Sequence, residues 1–95
     1  MRSSSTIVTD SGRRYLAQLC KHFGHRVPTT LGERDGRISF DGGEVYLRAS
    51  PATLMILAEA DEPGILTRLE GVVASHLKRF AFREPDLAVD WSRAR

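Results

Sequence analysis

The sequence predicts an α+β fold: a two-layer sandwich with two amphipathic helices on one face of a mostly antiparallel sheet, in the order β-α-β-β-β-β-α-β. Three observations carry this. Two stretches place apolar residues at helical spacing. Between them lie four β-favouring runs joined by turns too short for parallel crossovers. And 95 residues, 41% hydrophobic and 27% charged, suffice for one core and one domain.

Along the chain, Arg2–Thr9 opens loosely through Ser3–Ser5 and ends in a short β-favouring run, Thr6–Thr9. Asp10 or Ser11 is expected to cap a helix over Ser11–Gly24. Its apolar side carries Tyr15, Leu16, Leu19 and Phe23, with Cys20 at one edge and His22 at the other. Arg13, Arg14, Gln18 and Lys21 point outward. Gly24 reads as a left-handed terminator, and His25-Arg26 brings positive charge to the negative end of the helix dipole. Val27–Leu31 reads as a strand entered through Pro28. Gly32–Gly36 is turn chemistry, with Asp35-Gly36 the hairpin signal. Arg37–Asp41 and Glu44–Ala49 alternate around a Gly42-Gly43 turn. Ser50-Pro51 then breaks the pattern before the strand Thr53–Ala60.

The longest helix is expected over Asp61–Phe82. Asp61 or Glu62 can accept first-turn N–H groups, and Pro63 suits an early position where its missing N–H costs nothing. At 100° per residue, Ile65, Leu69, Val72, His76 and Phe80 share one face, flanked by Leu66, Val73 and Leu77. Arg68, Glu70, Ser75, Lys78 and Arg79 mostly take the other side. Gly71, mid-helix, suggests a close neighbour. His76 occupies the middle of the apolar stripe, where leucine would be simpler. After a turn at Arg83–Asp86, Leu87, Val89 and Trp91 alternate as a final strand, Trp91 locking it onto the helices. Ser92–Arg95 is expected to fray, leaving an ordered core over about residues 5–92.

Leu54 to Ala58 have no polar member, so this strand is expected to be central and covered on both sides. Tyr46 falls on the same second face as Met55 and Leu57. Two readings follow: an apolar outer face covered by a terminal segment, or a homodimer interface through Tyr46, Met55 and Leu57.

A net charge of +2 with acids interspersed among bases makes nucleic acid a poor partner. A single cysteine excludes an internal disulfide and suits a reducing compartment. With no signal-like or membrane-length apolar segment, a cytoplasmic location is expected.

Two motifs stand out: Cys20-Lys21-His22-Phe23-Gly24-His25-Arg26, preceded by Arg14-Tyr15-Leu16, and His76-Leu77-Lys78-Arg79-Phe80-Ala81-Phe82-Arg83-Glu84. Together they resemble the bacterial family known as domain of unknown function 2218. That family's pattern reads Cys-Lys-His-Phe-x-His-Lys, so Arg26 is a charge-preserving departure. The resemblance runs from the first strand through Trp91, which also matches. It implies no established activity, cofactor or substrate. Members are sometimes associated with iron or siderophore genes, a context that gives no residue a role.

Three functions are open. The first is a binding domain for a small anionic ligand or a protein partner, with Lys21, His22, His25, Arg26, Lys78, Arg79 and Arg83 forming a positive rim and His76 beside them. The second is a small enzyme using His76 in acid–base chemistry, or Cys20 with His76 in nucleophilic chemistry. The third is a metal or haem accessory protein using Cys20, His22, His25 and His76. Spacing disfavours the third, because Cys20 and His22 lie about 200° apart on a helix. The plain alternative for His76 is a core-edge ring donating to a backbone carbonyl or carboxylate. Cys20 is most simply a small buried hydrophobe. The carboxylates cluster in turns and read as solvent-exposed.

Overall fold

The computed structural model describes residues 1–94. Its elements are β1 (Arg2–Val8), α1 (Gly12–Phe23), β2 (Thr29–Leu31), β3 (Asp35–Phe40), β4 (Gly43–Ala49), β5 (Thr53–Ala60), α2 (Pro63–Phe80) and β6 (Ser92–Ala94). The two-layer α+β architecture and its element order are as expected. Six strands form one open antiparallel sheet in the order β2-β3-β4-β5-β1-β6.

Both helices cover one face of this sheet. Tyr15, Leu16, Leu19 and Cys20 of α1 and Leu66, Leu69, Val73 and Leu77 of α2 are buried against Ile7, Ile38, Val45, Leu47, Leu54 and Ile56. These are the inward positions of alternating strands, because a residue and its second neighbour share a face. β5, expected to be central, lies between β4 and β1.

Several local expectations are corrected. The buried stripe of α2 centres on Leu66, Leu69, Val73 and Leu77, so Ile65, Val72, His76 and Phe80 are half-buried flank. Periodicity finds the stripe but not its phase, which packing against the sheet decides. His76 therefore sits at the core's edge, where a polar ring is tolerated. Gly71 is exposed, and a Cβ there would meet nothing within 4 Å, so no element passes close. Neither helix has a side-chain cap hydrogen bond; Thr9 Oγ1 instead accepts the Ser11 N–H at 3.1 Å. Gly24 has φ −61°, an ordinary right-handed value. A Cβ there would lie 2.9 Å from both Cys20 O and Thr29 Oγ1, so crowding is what favours glycine. Asp35 and Gly36 already belong to β3, the turn falling on Gly32–Arg34 and closed by Gly32 N–H to Asp35 O at 2.8 Å.

The largest differences are at the two ends. Ser3–Ser5 are strand residues, and Ser3 and Ser5 are buried beneath the helices. Leu87–Trp91 is not a strand: Leu87, Val89 and Trp91 pack half-buried on the core as irregular chain. The final strand is Ser92–Ala94, paired with Arg2–Ser4 at the sheet edge. Arg93 anchors it, donating to both Glu70 carboxylate oxygens (2.9 and 3.2 Å) and to Thr67 Oγ1 (2.7 Å). Glu70, expected to face outward, is thus held at 13% side-chain exposure and also accepts from Ser3 Oγ. Arg95, the end of the stretch expected to fray, lies outside the described residues. Among the described residues, no helix is long and apolar enough to cross a membrane.

Candidate functional site

The two motifs singled out in the sequence meet along a seam between α1 and the C-terminal end of α2. The seam brings His22 against His76, with ring centroids 4.7 Å apart and planes tilted by 44°. His22 also stands edge-on to Phe23 and Phe80 at 5.0 and 5.8 Å, and Phe23 approaches His76 at 4.9 Å and Phe40 at 5.1 Å. His76 Nδ1 lies 2.7 Å from the Val72 carbonyl oxygen. A carbonyl only accepts, so Nδ1 carries the proton and donates. A neutral His76 then keeps its lone pair on Nε2.

Further along, Arg14, Gln18, Phe80, Phe82 and Arg83 line a hollow of about 310 Å³ with Tyr15 at its base. Arg14, Gln18 and His22 are four apart and share a helical stripe. Phe82 is 72% exposed, with the Arg83 guanidinium 5.6 Å above its ring centre. Beneath this surface Glu84 accepts from Tyr15 Oη and from Thr9 Oγ1 (2.9 and 3.1 Å). Glu84 is therefore not a solvent-facing turn carboxylate. It clasps the chain leaving α2 to the start of α1. Burial first, and then the Glu84 carboxylate, push the Tyr15 hydroxyl above the ordinary tyrosine range.

Arg14, Arg26, Arg79 and Arg83 make no ion pair among the described residues, whose pairs are Arg2–Glu59, Arg13–Glu33, Arg37–Glu44 and Arg93–Glu70. Partial shielding of its ring, and then the positive fields of His76, Arg79, Arg26 and His25, hold His22 below the usual imidazole range.

Of the residues expected to form a site, the structure thus brings His22 and His76 together, with Arg79 near His22 and Arg83 at the far end. His25 lies beyond the helix, lining a separate shallow depression with Lys21, Gly24 and Thr29. Cys20 is turned into the core, Sγ toward Thr30 O at 3.8 Å and directly under Gly36. Burial raises its thiol pKa, the opposite of an activated nucleophile. Among the described residues, no three His, Cys, Asp or Glu side chains gather as metal ligands would. Arg14, Gln18 and Phe82 were missed as site residues. Their signal was the Arg14-Gln18-His22 spacing, which as an isolated pattern reads only as an outward helix face.

The opposite face of the sheet is open, and among the described residues no terminal segment covers it: Leu87, Val89 and Trp91 pack on the core side. The cross-strand register lays its side chains out in rows. One runs Thr30, Arg37, Tyr46, Leu57, Ser4, Ser92; beside it runs Asp35, Arg48, Met55, Thr6. Met55 is 51% exposed. These two rows border a hollow of about 620 Å³. The expectation that β5 is covered on both sides is thereby corrected: strands central in a sheet can still have one wet face.

The family model described as "Uncharacterized protein conserved in bacteria" (DUF2218) matches residues 4–92. The chain belongs to this family. The chain is also similar to a solved structure, "NMR structure of PA4090 from Pseudomonas aeruginosa", with TM-score 0.84 and 34% identity. That match covers 99% of this chain and 97% of the other. No curated protein matches the chain.

Proposed function

We propose that this DUF2218 chain is a binding domain for a small anionic ligand, taken up on the seam between α1 and α2. The observation that carries the reading is the group of guanidinium side chains without ion-pair partners among the described residues, Arg14 and Arg83 beside the hollow and Arg79 and Arg26 beside His22. Arginine offers a planar fork of donors suited to carboxylate and phosphate oxygens. The Glu84 carboxylate beneath the hollow is taken up by Tyr15 and Thr9 and pairs with none of these guanidiniums, whose mutual repulsion a bound anion relieves. Phe80 and Phe82 add aromatic faces, so the fitting ligand carries an anionic group on a flat or apolar body. His22, held largely neutral at pH 7, and Gln18 add hydrogen-bonding capacity between the charged groups.

The test is a 1H–15N NMR titration at low salt with inorganic phosphate, pyrophosphate and 2-naphthoate. Saturable shifts confined to Arg14, Gln18, His22, Phe82 and Arg83 are expected. They should weaken at least tenfold in Arg14→Glu/Arg83→Glu and diminish as salt rises. Arg14 and Arg83 are exposed, so the fold should survive their substitution. Shifts scattered over the surface, or indifferent to the double reversal, would remove the proposal.

A further inference from the structure

The open face of the sheet differs from the seam in its chemistry. Its hollow is roofless, about 620 Å³, with an apolar floor of Tyr46, Met55 and Leu57 on neighbouring strands. The Arg37 guanidinium stands 5.4 Å over the Tyr46 ring and is fixed there by Glu44, whose Oε2 accepts from Arg37 Nε at 2.9 Å and from Ser39 Oγ at 2.8 Å. At the other end Asp35 and Arg48 are register partners, and neither joins an ion pair among the described residues. Charge on this face therefore balances: Arg2, Arg37 and Arg48 against Asp35, Glu44 and Glu59.

We infer that this hollow is a second binding site, for a flat, mainly apolar small molecule of little net charge. Size points the same way, since ligand pockets commonly span about 300–1,000 Å³. A stacked aromatic body fits over Tyr46 and between Met55 and Leu57. A donor and an acceptor on its rim can meet Asp35 and Arg48, and the hydroxyls of Thr6 and Thr30 border the same space. An anion gains little here because Arg37 is already paired with Glu44 and Arg48 stands opposite Asp35 in the register.

A second copy of the chain is the competing occupant, and packing disfavours it. Two open hollows set face to face would enclose apolar space, and unfilled apolar space is destabilising. A small molecule fills that space.

The probes are indole and 2-naphthol, with NMR shifts of the Met55 ε-methyl and of the Thr6, Tyr46 and Leu57 amides as readout, and sedimentation velocity of the probe-free protein in parallel. Saturable shifts at these positions are expected, weakened at least fivefold by Met55→Lys and by Thr6→Lys. Both substitutions fall on exposed side chains and leave the core intact. The Arg14→Glu/Arg83→Glu variant should bind both probes unchanged, which separates this site from the seam. Absence of saturable shifts would overturn the inference. So would a concentration-dependent dimer that Met55→Lys dissolves, because the face would then belong to a second copy.

Discussion

Replacing Gly71 by alanine should stabilise the protein. Gly71 lies well inside α2, exposed, with helical backbone and nothing within 4 Å of where a Cβ would be. Glycine in a helix interior costs about 1 kcal/mol relative to alanine because it has more backbone freedom to lose on folding. With no neighbour to strike, that gain should appear undiminished. For a domain of this size, about 1 kcal/mol corresponds to a Tm rise of about 4–8 °C. Thermal melts by circular dichroism and urea titrations with an unchanged m value would measure it. Gly36→Ala is the contrasting control. A Cβ there would lie 2.6 Å from Cys20 Sγ and 3.3 Å from Thr30 O. Overpacking of this kind costs about 1–3 kcal/mol, and a Cys20→Ala background should shrink the penalty. A Gly71→Ala Tm equal to or below the parent's would refute the reasoning, since it would mean that something on the solvent side of α2 requires the glycine.

Three further outcomes are expected. Glu84→Ala strands the buried Tyr15 hydroxyl and Thr9 Oγ1, at about 1–3 kcal/mol for each unsatisfied group; in a Tyr15→Phe background its effect should be smaller than additive, as a double-mutant cycle of urea midpoints would show. The raised Tyr15 pKa means that the native state keeps this proton longer than the unfolded chain does. Stability should therefore fall as pH rises past the ordinary value of 10.0, a slope that Tyr15→Phe reduces. Glu70 runs the other way: its hydrogen bond from Arg93, then that from Ser3, holds its pKa below 4.5, so this contribution is present above pH 4.5 and is lost on acidification. Arg93→Ala should flatten that acid limb and release the amide protection of Ser92–Ala94 in hydrogen exchange, with a stability cost of only about 0.5–1 kcal/mol because Arg93 is partly solvated.

The seam was partly readable before folding. The two motifs were visible, and His22, His76, Arg79 and Arg83 were candidates on residue type alone. Spacing along one helix could not tell which residues face the other helix, so Arg14, Gln18 and Phe82 were passed over and Cys20 was retained. The distinction depends on which flank of α1 meets α2: Cys20 takes the sheet side and His22 the outer side, only two residues apart.

The sequence by itself determined the architecture, because architecture follows from periodicity. Strand Thr53–Ala60 has the expected bounds, and helix α2 starts at Pro63, whose absent N–H belongs in a first turn. What carries no periodic signal was left to the tertiary structure. β6 has no inward apolar residue to announce it; its strand exists because β1 offers an unpaired edge and Glu70 captures Arg93. Leu87, Val89 and Trp91 alternate like a strand and are none, because packing on a core edge rewards apolar side chains whatever the backbone does. Ser3 and Ser5 lie inside because hydrogen-bonded sheet pairing placed them there, with Glu70 receiving the Ser3 hydroxyl. And the open hollow over Tyr46, Met55 and Leu57 depends on where the C-terminal segment packs, a long-range choice that no local stretch of chain encodes.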